Sequence, residues 1–238
     1  MKGFFNSPSF RLRAHQLAIA MVVGSVLQGV LIQTGYNTLL FYPYNTLFGL
    51  ELWRPFSSLL VATSPLEVIF GALIIYSIGS TLEYQWGSRR FLYIALGIPV
   101  SASLLTLVCA LLLPHTFLGI GYGGAREIIT TLWITYGLVA HFSHQQLNFW
   151  GSPLSGKAFA LIGVAFVALN AVFAGPLVVL PELFCIALCY SYMYRHRSYN
   201  FKNQVQLKYY SWKLKRLKGR SGLKVIKGQR GDNDRQIH

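Results

Sequence analysis

The stretch GYGGAREIITTLWITYG, residues 121–137, sets Gly121, Gly123 and Gly124, then Arg126 and Glu127, at the head of an otherwise apolar run. Glycines clustered there permit a sharp turn and a close backbone approach. The charges directly behind them would cost about 3 kcal/mol each at the middle of a bilayer unless paired or wetted. The fold therefore depends on whether this run crosses a membrane, and composition decides it. Of 238 residues, 53% are hydrophobic and only 12% charged, with a mean hydropathy of +0.44. That is too little polar surface to cover a soluble domain. The charges are also unevenly spread. Of 21 Lys and Arg, 13 follow residue 194, whereas five of the seven acids (Glu51, Glu67, Glu83, Glu127 and Glu182) precede Asp232. The pattern is that of a polytopic membrane protein with a basic tail.

A spanning helix needs about 20 apolar residues, fewer when neighbouring helices shield it. Six such segments are predicted: 14–33, 65–82, 91–113, 122–140, 158–175 and 177–194. The expected fold is an all-α, six-helix membrane domain (14–194) between an N-terminal segment (1–13) and a basic tail (195–238). The third span carries no charge from Phe91 to Leu113. The second and fourth each carry a glutamate near the start, and short, glycine-rich, partly charged spans belong inside a bundle. Basic residues in the short loops orient the chain. Lys2, Arg11, Arg13, Arg89, Arg90, Lys157 and the tail fall on one side and only Arg54 and Arg126 on the other, 19 against 2. Both termini are thus expected in the cytoplasm, and the basic N-terminus, which lacks a small-residue cleavage site, reads as leading into an uncleaved first helix. Cys109, Cys185 and Cys189 all fall within predicted spans. Cys185 and Cys189 share a helix face, but no further ligands converge on them, so they read as packing residues rather than a metal centre.

Three further stretches carry information. ELWRPFSSLL (51–60) places Trp53 and Arg54 shortly before the second span. GSTLEYQWGSRRF (79–91) spaces Gly79, Glu83 and Gly87 four apart, one stripe on a helix. The glycines would let another backbone approach, and the glutamate would hydrogen-bond that neighbour or the first loop; a surface ion pair with Arg89 or Arg90 is the alternative. Trp53 and Arg54 suit a membrane interface, ring at headgroup depth and guanidinium in water. Before them, YNTLLFYPYNTLFGLELW (36–53) is apolar enough for lipid, yet Pro43 and the asparagines break any span.

In this order, with six spans and both ends inside, residues ~10–195 resemble the rhomboid superfamily of intramembrane serine proteases and their inactive relatives. The resemblance implies a membrane-embedded first loop shaped by Trp53 and Arg54. It also implies a serine nucleophile at the start of the fourth helix, within Gly-x-Ser-Gly. Gly121, Gly124 and Ala125 fit that pattern, but the serine position is Gly123. The family's base is a histidine in the sixth helix, and the matching stretch here, VVLPELFCIALCYSYM (178–193), has none and lacks the accompanying glycine pair. His141 lies 18 residues from Gly123, about 27 Å along a helix, far beyond hydrogen-bond reach of about 3 Å. His115 is on the correct side but would have no serine to serve. The family's oxyanion-assisting histidine and asparagine align with Glu67 and Gly71. The resemblance therefore implies a protein that is not a protease, with no catalytic residue, no cofactor and no metal, that binds, escorts or scaffolds another membrane protein. The alternatives are a protease with displaced motifs and a structural subunit of a larger membrane complex.

Arg126 and Glu127 depart from the family's apolar residues. They are expected to line the former active-site cavity, with Glu67 or Glu182 as the partner of Arg126. They serve either an internal polar network or contact with a partner's membrane segment. The aromatic, basic tail is expected to bind anionic lipid headgroups, with a cytoplasmic protein as the alternative; no nucleic-acid motif is present. The expected location is a bacterial inner membrane.

Overall fold

A computed structural model describes residues 13–195 apart from 35, 37, 118, 144, 145, 150 and 151. The chain divides into two units, Met1–Tyr194 and Arg195–His238. Apart from Arg195, the tail and its expected lipid binding lie outside the described residues, as do Lys2 and Arg11.

The first unit is built of helices. In order these are α1 (Arg13–Gln33), α2 (Pro43–Phe48), α3 (Arg54–Ser57, continued by the 3-10 turn Ser58–Leu60), α4 (Pro65–Trp86), α5 (Ser88–Leu112), α6 (Ala125–Phe142), α7 (Gly156–Ala174) and α8 (180–195). Four of them, α1, α4, α5 and α7, are long and apolar enough to cross a membrane. Sequence accounts for several ends. Ser64 caps α4 by accepting the Glu67 N–H, and Pro65 supplies a first residue that needs no donor. Ser155 caps α7 in the same way through the Ala158 N–H.

At the start of α1, the caps come from elsewhere in the chain. The Glu83 carboxylate accepts the backbone N–H groups of Arg13 at 3.0 Å and Ala14 at 2.8 Å, and also the Ser88 hydroxyl. One buried carboxylate thus serves a helix N-terminus, where the backbone dipoles favour negative charge, and ties α1 to the α4–α5 junction. Of the sequence readings of Glu83, the bond to a neighbouring helix is the one realised. Arg90 stacks over the Trp86 ring at 4.9 Å.

The shorter, charged α6 sits inside the bundle, with buried residues from Ala125 to Ala140 on all sides. One core joins it to α1, α4 and α5 around Met21, Ile75, Phe91, Ile128 and Leu132. A second joins it to α5 and α8 around Ile98, Ile134, Cys185 and Cys189. Both cysteines are fully buried there as small hydrophobes, with Thr135 donating to Cys189.

The glycines depart from expectation. Gly79 does meet a tight neighbour, since a Cβ there would lie 3.2 Å from the Ala14 methyl and 3.3 Å from the Phe91 ring, but these are side chains. Gly87 packs against nothing; it adopts φ +81°, ψ 156° at the α4–α5 turn, a conformation nearly confined to glycine. The backbone-to-backbone approach lies between α6 and α7. A Cβ on Gly137 would sit 2.8 Å from the Ala160 nitrogen, and one on Gly156 would sit 2.5 Å from the Gly137 carbonyl oxygen. Gly163 accommodates the Trp133 indole, whose Nε1–H donates to the Phe159 carbonyl at 2.9 Å. Two other features escaped the sequence reading. Residues 75–79 of α4 form a π turn, and between α6 and α7 the short strands Gln146–Phe149 and Ser152–Ser155 pair antiparallel.

Candidate functional site

The first loop is fastened down along its length. Arg54 is 4% exposed, so its guanidinium does not reach water as the interfacial reading of the sequence expected. It pairs with Glu51, donates to the Leu40 carbonyl at 2.8 Å and lies 5.6 Å from the centre of the Tyr42 ring. The Gln28 side chain of α1 accepts the Leu39 N–H at 3.2 Å. Trp53, in contrast, is 53% exposed, as suits a ring at headgroup depth. Farther along, Ser25 of α1 accepts the Ala62 N–H at 2.9 Å, and Gly24 admits Leu60 against α1.

This fastened loop receives the glycine cluster. Helix α6 starts at Ala125 rather than 122, because Gly121–Gly124 are committed to the loop. Tyr122 and Phe41 exchange backbone hydrogen bonds at 2.8 and 3.0 Å, and the Gly124 N–H donates to the Ser58 carbonyl at 3.0 Å. A Cβ on Gly121 would strike the Tyr42 ring at 2.6 Å, and one on Gly124 the Leu59 backbone at 2.8 Å. At Gly123, the aligned serine position, it would meet the Thr63 methyl at 2.6 Å and the Val61 carbonyl at 3.0 Å. All three positions therefore need glycine for space, at ordinary backbone angles.

Between this junction and the start of α8 lies a cavity of about 230 Å³, lined by Thr63, Gly121–Gly123, Arg126, Glu127, Val178, Pro181 and Glu182. The Arg126 Nε faces Glu67 Oε1 at 3.4 Å, and its NH2 group donates to Thr63 Oγ1 at 3.0 Å. The Thr63 hydroxyl in turn donates to Glu67 Oε2 at 2.7 Å. Of the two sequence candidates for its partner, Glu67 is the one Arg126 contacts. Glu182, 6% exposed, accepts instead from Asn170 at 3.2 Å and Thr130 at 3.4 Å. Glu127, 2% exposed, accepts the Ser103 hydroxyl at 2.8 Å through Oε2, while its Oε1 has no hydrogen-bond partner among the described residues. Gly71, which with Glu67 aligns with the family's oxyanion-assisting positions, packs against Met21 and Ile129, and neither residue is on the cavity wall. The histidines at 15, 115 and 141 are not on it either. Sequence reasoning placed Arg126 and Glu127 at the cavity but missed Ser103 and Asn170, which carry no local signal.

The model of a family of eukaryotic integral membrane proteins, DUF1751, matches residues 15–233. The chain belongs to this family. The match takes in every described helix but for the first two residues of α1, and most of the basic tail, so in DUF1751 the tail is part of the family unit. No curated protein matches the chain. Membership in DUF1751 overturns the expectation of a bacterial inner membrane: the family is eukaryotic, and the multi-pass character is retained. Basic loop residues report only which side is cytoplasmic, and that asymmetry is common to bacterial and eukaryotic membranes.

Proposed function

We propose that this DUF1751 protein is a rhomboid-like pseudoprotease that holds a membrane-spanning segment of another protein without cutting it. In this reading α6 and α8 join the four longer apolar helices to give six spans, with both termini in the cytoplasm. The observation that carries it is the state of the glycine junction. Where the resemblance calls for a serine, a side chain at Gly123 would run into Thr63 and Val61, and Arg126, Glu127 and Glu182 line the adjoining cavity in place of a serine and its base. A serine hydroxyl is a weak nucleophile without a base to take its proton. The fold does offer surfaces for a helix. α6 packs against both α4 and α7, which turn Ile69, Phe70 and Leu73, and Leu169, Val172 and Phe173, outward. The tail would add attraction to anionic headgroups at about 1 kcal/mol per basic residue near the surface.

Purified protein in lipid is expected neither to cleave rhomboid-type transmembrane substrates nor to react with fluorophosphonate probes. In mild detergent it should bring a membrane protein with it. Reproducible cleavage, lost on mutation of a single serine or histidine, would replace this reading with an enzymatic one.

A further inference from the structure

Helices α4 and α5 are both long and apolar enough to cross a membrane, so the turn that joins them at Gly87 lies at a membrane face. That turn carries cations and aromatic rings together. Arg89 is exposed and Arg90 partly so, and Tyr84 and Tyr93 to either side are largely exposed. The nearest acid in sequence, Glu83, is buried and already accepts the Arg13 and Ala14 N–H groups and the Ser88 hydroxyl. Neither arginine pairs with it: among the described residues, the Lys and Arg side chains in ion pairs are Arg54 and Arg126. Arg90 is also held in place. Its guanidinium lies over the Trp86 ring at 4.9 Å, and Trp86 packs on both cores. Stacking uses the flat face of a guanidinium and leaves its in-plane N–H groups free, in the fork that fits two oxygens of a phosphate. Arg89 and Tyr93, four apart, share a face of α5 and add a second cation and a hydroxyl. We propose that the α4–α5 turn binds the phosphate of an anionic lipid headgroup, with Arg90 on its Trp86 platform and Arg89 as the two cations. Position selects the lipid, because a membrane presents its phosphates at this level. A zwitterionic headgroup would bring a cation of its own into a positive field to which Arg13 also contributes, and an anionic one would not. The site is distinct from the cavity and does not depend on the proposed holding of a membrane segment.

The test follows the unfolding midpoint of the full chain in mixed micelles as phosphatidylcholine is replaced by phosphatidylinositol. Lipid bound only by the folded bundle raises the midpoint, whereas lipid held by a segment that binds it equally well after unfolding leaves the midpoint unmoved. The native protein should gain about 4 °C or more, and Arg89→Gln with Arg90→Gln should lose most of that gain. Lys213→Gln with Lys215→Gln, which removes two charges from the tail, should keep it. A midpoint that ignores phosphatidylinositol, or a gain that the paired arginine variant keeps, overturns the site. Should that pair fold poorly, Arg89→Gln alone, at an exposed position, should lose about half of the gain, and an undiminished gain there overturns the site equally. Inorganic phosphate or a polyglutamate peptide that reproduces the gain in phosphatidylcholine would assign the turn to a soluble anion or an acidic protein and overturn the lipid.

Discussion

Arg54 shows how much one side chain can hold in this protein. Its guanidinium serves the Glu51 carboxylate and the Leu40 carbonyl and lies beside the Tyr42 ring. These are three partners in three directions within the first loop. Lysine offers a compact charge without the planar fork and cannot reach them together. Arg54→Lys is therefore expected to cost about 2 kcal/mol or more, since buried acceptors lose their donors. Thermal unfolding in detergent, followed by tryptophan fluorescence, should register the loss, and an unchanged midpoint would refute the pinned loop. The glycines of the junction act by what they lack. Gly121, Gly123 and Gly124 each leave the space that lets the loop lie against the first turn of α6.

At the scale of elements, the α6–α7 pair and the α4–α5 turn use glycine for different physical reasons. Gly137 and Gly156 are required by contact between two backbones, so a side chain at either must drive the helices apart. Gly156→Leu should accordingly cost 3 kcal/mol or more, about the upper end of overpacking penalties. Gly87 has open space around it, and only its positive φ excludes other residues; Gly87→Ala should cost about 1–3 kcal/mol through backbone strain alone. Leu73→Ile, on the exposed face of α4, should leave the folded yield unchanged. Yields of monodisperse protein after size exclusion would rank the three, and equal yields would remove the distinction. The π turn at 75–79 belongs to this scale too. It ends on Gly79, the contact with α1, and lies a turn before Glu83, which caps α1.

For the whole molecule, the leading prediction concerns orientation. The 19 to 2 asymmetry of basic residues predicts both termini in the cytoplasm and the first loop on the far side. In sealed microsomes, a tag after residue 238 should be digested by added protease, and one within residues 36–53 should be protected. The opposite pattern would invert the topology and expose the cavity to the cytoplasm. The alternation of helices is consistent with such a path. The α4–α5 turn and the α6–α7 hairpin lie at one end of the bundle, while the loop, the glycine junction and the cavity lie at the other.

The family resemblance put Arg126 and Glu127 at a cavity; composition and hydrophobic runs alone were enough for the membrane class and for helices within a few residues of 14–33, 65–82, 91–113, 158–175 and 177–194. These are properties of local composition, legible because a bilayer admits so few spanning structures. The hydrogen-bond partners were not legible in the same way. Glu83 meets Ala14 across 69 residues, Ser103 meets Glu127 across 24, and Asn170 meets Glu182 across 12. Nor could spacing separate a glycine kept for close contact, as at Gly156, from one kept for its backbone angle, as at Gly87. Both leave the same letter in the sequence, and the difference lies in what stands opposite the missing Cβ, which only the packed bundle decides.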